Sequence, residues 1–465
     1  ASWEGVRDCF TFGNACPQRI PAAMRAIPQM AINAPYSEDC LYLNIWCPAN
    51  AGGKKLPVLY WIHGGGYTMG AASQPLYDGE ALARRGTIVV SVNYRLGPFG
   101  FLSHPALSAE SPTKTSGNYG IMDQIEGLRW VKRNIAAFGG DPDRVTIFGE
   151  SAGGGSVLCL LVSPDAKGLF HRAAAMSAPE MTLALLRDST ENQPAAEVFG
   201  TGIFEKCGVK SGNLADMRAL DADLLVKNTP SLEIDQDIEL TLRGKPLPVA
   251  PVVDGKLIPK QPNDILAAGK ANPVPLIVGN TRDEMTMFFM RVVTPREVSA
   301  YTDQIDKDFG SLAEVIAAAY PAKDAKSVRD SIIHLVGDIV FSAQARYTAR
   351  QHVAAGQPTY RYIFSRGSTE FPMSAMGAHH GCELAYLFGR NNRPNETDQL
   401  VTDTIQGYFV NFAATGDPNG SGLPQWPKFS LENDALIEIA DDVTVREHHR
   451  KEQLDAVDQF LRPMR

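Results

Sequence analysis

The sequence predicts an α/β fold, a central and mostly parallel sheet flanked by helices, on two observations. Short apolar, β-branched runs alternate with longer segments of helical periodicity, and the runs are continuously apolar, as strands buried on both faces are. In chain order, "LPVLYWI" at 56–62 reads as a strand ending in a glycine-rich turn, and "TIVVSVNY" at 87–94 as the next strand. In "YGIMDQIEGLRWVKRNIAAF", residues Ile121, Ile125, Leu128, Val131, Ile135 and Phe138 recur at spacings of three and four, the stripe of a helix lying on such a sheet. "RVTIF" at 144–148 is a further strand, and "SAGGGSVLCLLV" at 151–162 the helix after it. Residues of about 181 to 270 carry helix-like pieces and few strand runs, so a helical insertion over the sheet is expected there. Later strands are expected at "PVPLIVGN", "TYRYIFS" and "ALIEIA". With no Gly/Ser linker, charge block or repeat to divide it, residues 1–465 read as a single domain.

Composition narrows the function. At 44% hydrophobic and 21% charged residues the chain can bury a large core. A net charge of −8 without Lys/Arg-rich runs argues against nucleic acid as a partner. No apolar run approaches a bilayer span, and the C-terminal "KEQLDAVDQFLRPMR" is amphipathic and charged rather than an anchor. The seven cysteines are too few for a disulfide scaffold, and neither Cys-x-x-Cys nor His-Glu-x-x-His occurs, so no metal is implied. Asn395 and Asn419 begin Asn-x-Ser/Thr triplets, which matter only in a glycosylating host.

The chemistry-bearing stretch is "VTIFGESAGGGSV", in which Ser151 stands in Gly149-x-Ser151-x-Gly153 between an expected strand and an expected helix. In that setting a serine is held on a sharp turn with its hydroxyl exposed, and flanking side chains would collide as the backbone doubles back. A serine hydroxyl needs a base, an acid that orients the base, and donors for the developing oxyanion. The donors are expected in His63-Gly64-Gly65-Gly66, from the N–H groups of Gly65 and Gly66, with that of Ala152 as the third. A dinucleotide fingerprint would need glycine where Met69 stands, and no Gly-Lys-Ser/Thr exists. Glu284, after "PVPLIVGN", fits the acid, with Asp283 and Asp254 as competitors on spacing. For the base, "MGAHHGCELAYLFG" offers His379 and His380 in a loop; His63 belongs to the glycine loop, and His448 and His449 to a charged tail.

Taken together, the motifs resemble the type-B carboxylesterases, the family that includes cholinesterases, along nearly the whole chain. "SEDCLYLNIWCP" and "FGESAGGGSV" look like two of its signatures, and "VVSVNYRLGPFGFL", "GNYGIMDQIEGLRWVKRNIAAFGGDP", "GLFHRAAAMS", "PVVDG" and "FAATGDPN" follow in family order. The resemblance implies an α/β-hydrolase fold with Ser151 as nucleophile, Glu284 as acid, His380 rather than His379 as base, and Gly65, Gly66 and Ala152 as the oxyanion hole. It also implies a Cys16–Cys40 disulfide, hence a secreted or periplasmic setting with a cytoplasmic one still open, while the other five cysteines read as buried and free. Three departures stand out. The segment of roughly 50 residues that usually precedes the motif ending at Asp8 is expected to be missing, Met285 replaces a glycine, and Met217 stands where a partner for Cys207 would be.

The expected activity is hydrolysis of neutral or anionic small-molecule carboxylic esters through an acyl-enzyme, by a monomer or homodimer, with no cofactor. An amidase or peptidase on the same triad, and a non-catalytic adhesion protein, are the alternatives; the second usually lacks a triad member, and here all three are present. Between Cys16 and Cys40, Tyr36 is the only aromatic residue and Arg19 and Arg25 add positive charge, so selectivity for choline esters is not expected. The pocket is expected to be mixed and apolar, lined partly by the Met and Phe residues after Glu284.

Overall fold

The computed structural model describes residues 8–25, 27–191, 193–210, 212–230, 249–289, 297–369, 373–391 and 394–464. Most of the motif ending at Asp8, the middle of the 181–270 segment and Met290 lie outside them. Eleven strands occur among these residues: β1 Leu43–Trp46, β2 Leu56–Ile62, β3 Ile88–Val92, β4 Gly140–Glu150, β5 Arg172–Met176, β6 Ala184–Leu185, β7 Val252–Val253, β8 Leu276–Thr281, β9 Thr359–Phe364, β10 Leu436–Ile439 and β11 Val443–Arg446. Nine form one sheet in the order β1-β3-β2-β4-β5-β8-β9-β10-β11, while β6 and β7 pair separately. Only the two edge pairs, β1 with β3 and β10 with β11, are antiparallel.

Alternation within the strands divides the core. Val58, Tyr60 and Ile62 of β2 join one apolar cluster and Leu59 and Trp61 the other, because successive side chains leave opposite faces. In β4, Val145 and Ile147 follow the first set and Phe148 the second. The helix Tyr119–Asn134 covers the first face through Ile121, Ile125, Leu128 and Val131, and the one-turn 3-10 helix Ile135–Phe138 continues it. Phe138, read from its spacing as part of the buried stripe, is 39% exposed: it is the last residue before the left-handed Gly139 cap and its ring lies against Trp130 at 6.1 Å. The helix Glu396–Thr415 covers the other face with Val401, Ile405, Phe409 and Phe412. A third apolar cluster gathers helices between Val298 and Ala354 and the C-terminal helix Lys451–Leu461, whose Leu454, Val457 and Phe460 are buried.

The described part of the 181–270 segment holds helices Ala196–Lys206, Leu214–Arg218, Ala222–Asn228 and Pro262–Ala267 together with β6 and β7. No helix among the described residues is long and apolar enough to cross a membrane.

The cysteines require a correction. Cys16 and Cys40 are free thiols, not a disulfide. Both are buried; the neighbouring Cys40 thiol raises the titration of Cys16, Cys16 lowers that of Cys40, and Leu96 N–H donates to Cys16 Sγ at 3.3 Å. Of the other five, only Cys159 and Cys382 are buried; Cys9 and Cys47 are exposed and Cys207 half-buried, since the chain segments carrying them lie at the surface. Both Asn-x-Ser/Thr asparagines are engaged by their own turns. Asn395 caps the helix Glu396–Thr415 by accepting from Asp398 N at 2.8 Å, and Asn419 donates to Asp417 and to the Trp426 carbonyl.

Candidate active site

The strand order reverses at β2: the chain leaves it to one side for β3 and returns to the other for β4. Ligands of open parallel sheets bind at such a switch point, outside the carboxyl ends of the strands. The register pairs Ile62 with Gly149, so the loop after β2 and the turn after β4 emerge side by side. Those two connections are the His63-Gly64-Gly65-Gly66 loop and the Ser151 turn.

Ser151 has φ 59° and ψ −124°, an unfavourable conformation for a side-chain-bearing residue, held by its N–H donating to the Met176 carbonyl at 3.0 Å. The flanking glycines permit the turn. A Cβ on Gly149 would lie 2.5 Å from the Gly153 carbonyl oxygen, and one on Gly153 would lie 2.1 Å from that of Ile62. Ala152 opens the helix Ala152–Val162, so its N–H is among those with no acceptor inside the helix. Across from it, a Cβ on Gly64 would lie 3.1 Å from Ser151 Cβ, and Gly65 and Gly66 have φ 102° and 60°. His63 is turned away from the turn: its Nδ1 pairs with the Gly64 carbonyl at 2.8 Å, its ring stacks on Tyr94, and burial lowers its pKa to about 4.

Glu284 lies just beyond β8 and is 2% exposed. One carboxylate oxygen accepts from Thr281 N and Ser177 Oγ, each at 2.7 Å, and the other meets His380 Nδ1 at 2.5 Å. Asp283, its neighbour, instead accepts from Ala378 N at 2.8 Å and pairs with Arg282, tethering the loop that carries the histidines. Asp254 accepts from the N–H groups of Lys256 and Ile258 and closes its own turn. His379 directs Nδ1 to the His380 carbonyl at 2.9 Å. The structure thus brings Glu284 and His380 together and leaves Asp283, Asp254, His379 and His63 to other tasks. Met285 is absent from the positive-φ residues, so replacing glycine there costs no backbone strain.

Several contributors escaped the sequence. Glu150, the residue before Ser151, is buried with Oε1 3.1 Å from His380 Nε2, which sets the imidazole between two carboxylates at the serine turn. Burial, reinforced by Glu284 and opposed by His380, raises Glu150 to about 7. At His380, burial opposes the charged form, but Glu150 and Glu284 outweigh it and raise the pKa to about 9. Ser177, with φ 43° at the end of β5, steadies Glu284. Phe288 and Phe341 flank the imidazole at ring separations of 5.2 and 4.7 Å, and Phe341 is delivered by a π-helical turn, Asp338–Ser342. The signal for Glu150 was its adjacency to the serine; the signal for the π-turn lies in no motif.

This arrangement gives a prediction. A general base must be neutral to accept a proton, so with His380 as the expected base its raised pKa pushes the acidic limb of the pH–rate profile upward. Glu150→Gln removes one of the two raising charges, and the limb of kcat/KM should move toward lower pH by about one unit. An unmoved limb would contradict Glu150 as a neighbour that sets the base.

The sequence profile of the carboxylesterase family matches residues 1–457. The para-nitrobenzyl esterase of Bacillus subtilis is 35% identical over 463 residues, covering 97% of this chain and 88% of that protein. The liver carboxylesterase of Sus scrofa is 37% identical, with coverages of 86% and 73%, and the fumonisin B1 esterase of Sphingopyxis macrogoltabida 34%, with 94% and 78%. A solved structure of a PNB esterase superposes with a TM-score of 0.82 at 32% identity, covering 98% of this chain and 90% of that one. A parallel sheet of the α/β-hydrolase type, a strained serine turn at its switch point and similarity along nearly the whole length converge: the chain belongs to the carboxylesterase family and is a carboxylic ester hydrolase.

Proposed function

We propose that Ser151, His380 and Glu284 act as a catalytic triad that hydrolyses neutral or anionic small-molecule carboxylic esters through an acyl-enzyme. The observation that carries this assignment is the buried Glu284–His380 hydrogen bond, with His380 Nε2 aimed at the residue adjoining Ser151. Glu284 fixes the tautomer by accepting a hydrogen bond from Nδ1–H, which leaves Nε2 as the acceptor for the Ser151 hydroxyl proton. Ser151 Oγ attacks the ester carbonyl, and the developing oxyanion is met by the N–H groups of Gly65, Gly66 and Ala152. His380 returns its proton to the departing alcohol; it then draws a proton from the water that attacks the acyl-enzyme and passes it to Ser151 Oγ as the C–Oγ bond breaks, releasing the acid and restoring Ser151. Phe288 and Phe341 keep water from the imidazole faces. The test is a panel of esters varied in acyl and alcohol length, read as kcat/KM on purified protein. No turnover of any member would refute the assignment.

Selectivity for choline esters is not expected. The segment between Cys16 and Cys40 presents Tyr36, 49% exposed, with Arg19 and Arg25 lining the same cleft, and those charges repel a quaternary ammonium group. Butyrylthiocholine and a neutral isosteric thioester should differ by less than about tenfold in kcat/KM; a tenfold or greater preference for the choline ester would contradict this.

A further inference from the structure

A second concave site lies beside the glycine loop. Gln18, Arg19, Arg25 and Tyr36, from the segment between the two buried cysteines, and Asp223 and Lys227, from the helix Ala222–Asn228, line a cleft of about 440 Å³. Among the described residues, Arg25 and Lys227 stand there with Arg19 and a single carboxylate, Asp223, on a chain whose net charge is −8. Such a local excess of positive charge on a concave surface concentrates anions.

The cleft is joined to the catalytic loop through one residue. The Gln18 amide accepts from Gly70 N at 2.7 Å and donates to the Gly70 carbonyl at 2.9 Å, a two-point clamp on the loop that starts at His63. Gly70 itself presses on that loop: a Cβ there would lie 2.5 Å from His63 Nδ1 and 3.0 Å from the Gly64 carbonyl oxygen. The cleft wall and the backbone that supplies Gly65 and Gly66 are thus two faces of one short segment.

We infer that this cleft is a subsite for a free carboxylate carried by the ester substrate, so that half esters of dicarboxylic acids are a preferred substrate class. The inference rests on the ester hydrolase assignment and adds to it the chemistry of the far end of the substrate. Arg25 and Lys227 are exposed, so changing them does not disturb the core. Tyr36 completes the wall with a ring that can lie along the methylene chain and a hydroxyl that can donate to the carboxylate.

The experiment compares 4-nitrophenyl half esters of C4 to C8 dicarboxylic acids with their methyl-capped counterparts, on wild type, Arg25→Gln/Lys227→Gln and Arg25→Glu. The double variant should lose about tenfold in kcat/KM on the half ester of best length, chiefly through KM, and stay within about twofold on the capped ester. Arg25→Glu should lose at least as much on the half ester, and raising salt should erase the wild-type preference. Equal losses on both esters, or no loss on either, would overturn the subsite while leaving ester hydrolysis intact. Inactivity of wild type toward every ester would instead refute the hydrolase assignment. The cleft is then read by calorimetry with glutarate on Ser151→Ala protein: binding weakened about tenfold by the double variant supports it, and absence of binding overturns it. Glutarate that binds without competing with the half ester would also overturn a substrate subsite, pointing to a free carboxylate effector.

Discussion

Ser151→Ala protein is expected to fold normally and to hydrolyse esters at a rate reduced on the order of 10⁶-fold in kcat. The expected size follows from how the residue is used. In the proposed mechanism the hydroxyl oxygen forms and breaks the covalent bond, so without it the proposed oxyanion donors and the pocket would act on water alone. Folding should be unaffected because the turn is held by the backbone: the Ser151 N–H bond to Met176, the Gly155 N–H bond to the Ser151 carbonyl, and the Gly149–Gly153 approach all survive the change. Alanine adopts the left-handed conformation no less readily than serine. Circular dichroism and thermal melting should match wild type, while initial rates on a chromogenic ester fall to background. Retention of more than a few per cent of activity in a contaminant-free preparation would remove Ser151 from the nucleophile's role.

The second large effect separates adjacent residues. His380→Ala should be about as damaging as loss of the serine, and Glu284→Gln should cost about 10⁴ in kcat, because an amide offers an N–H where the imidazole needs an acceptor and so disturbs the tautomer. The neighbours should behave differently. His379→Ala removes a contact with the His380 carbonyl and should leave most of the activity, and Asp283→Asn keeps a side-chain oxygen able to accept from Ala378 N. The expected difference follows from the contacts: Glu284 and His380 meet at 2.5 Å, whereas Asp283 holds the loop through Ala378 N. Reversed sensitivities between His379 and His380 would exchange their roles. Equal damage from Glu284→Gln and Asp283→Asn would leave the acid unassigned.

How much was legible in the sequence varies with the range of the interaction involved. The βα alternation, the continuously apolar strands and the two glycine motifs report on contacts within a few residues, and β2, β4, β8 and β9 formed where they were expected. The stripe ends one step earlier than its spacing implies, since Phe138, the last residue before the left-handed Gly139 cap, is 39% exposed and periodicity does not show where a helix stops.

The acid illustrates the limit. Sequence order left Asp254, Asp283 and Glu284 open, and nothing local distinguishes two adjacent carboxylates until Ser177 from β5 and His380 from a later loop close on one of them. The thiols of Cys16 and Cys40 mark the same boundary from the other side: a pattern of positions implied a bond, while the structure holds two buried free thiols. By itself the sequence determined the layered fold, the serine turn and the class of chemistry, since each follows from local periodicity, sterics and residue type. The family resemblance pointed to Glu284 and His380, but only the tertiary structure brought their side chains together, put Glu150 at His380 Nε2 and set Arg19, Arg25 and Lys227 around one cleft beside the glycine loop. Those are distances between segments up to hundreds of residues apart, set by how the sheet, its crossovers and its loops pack together.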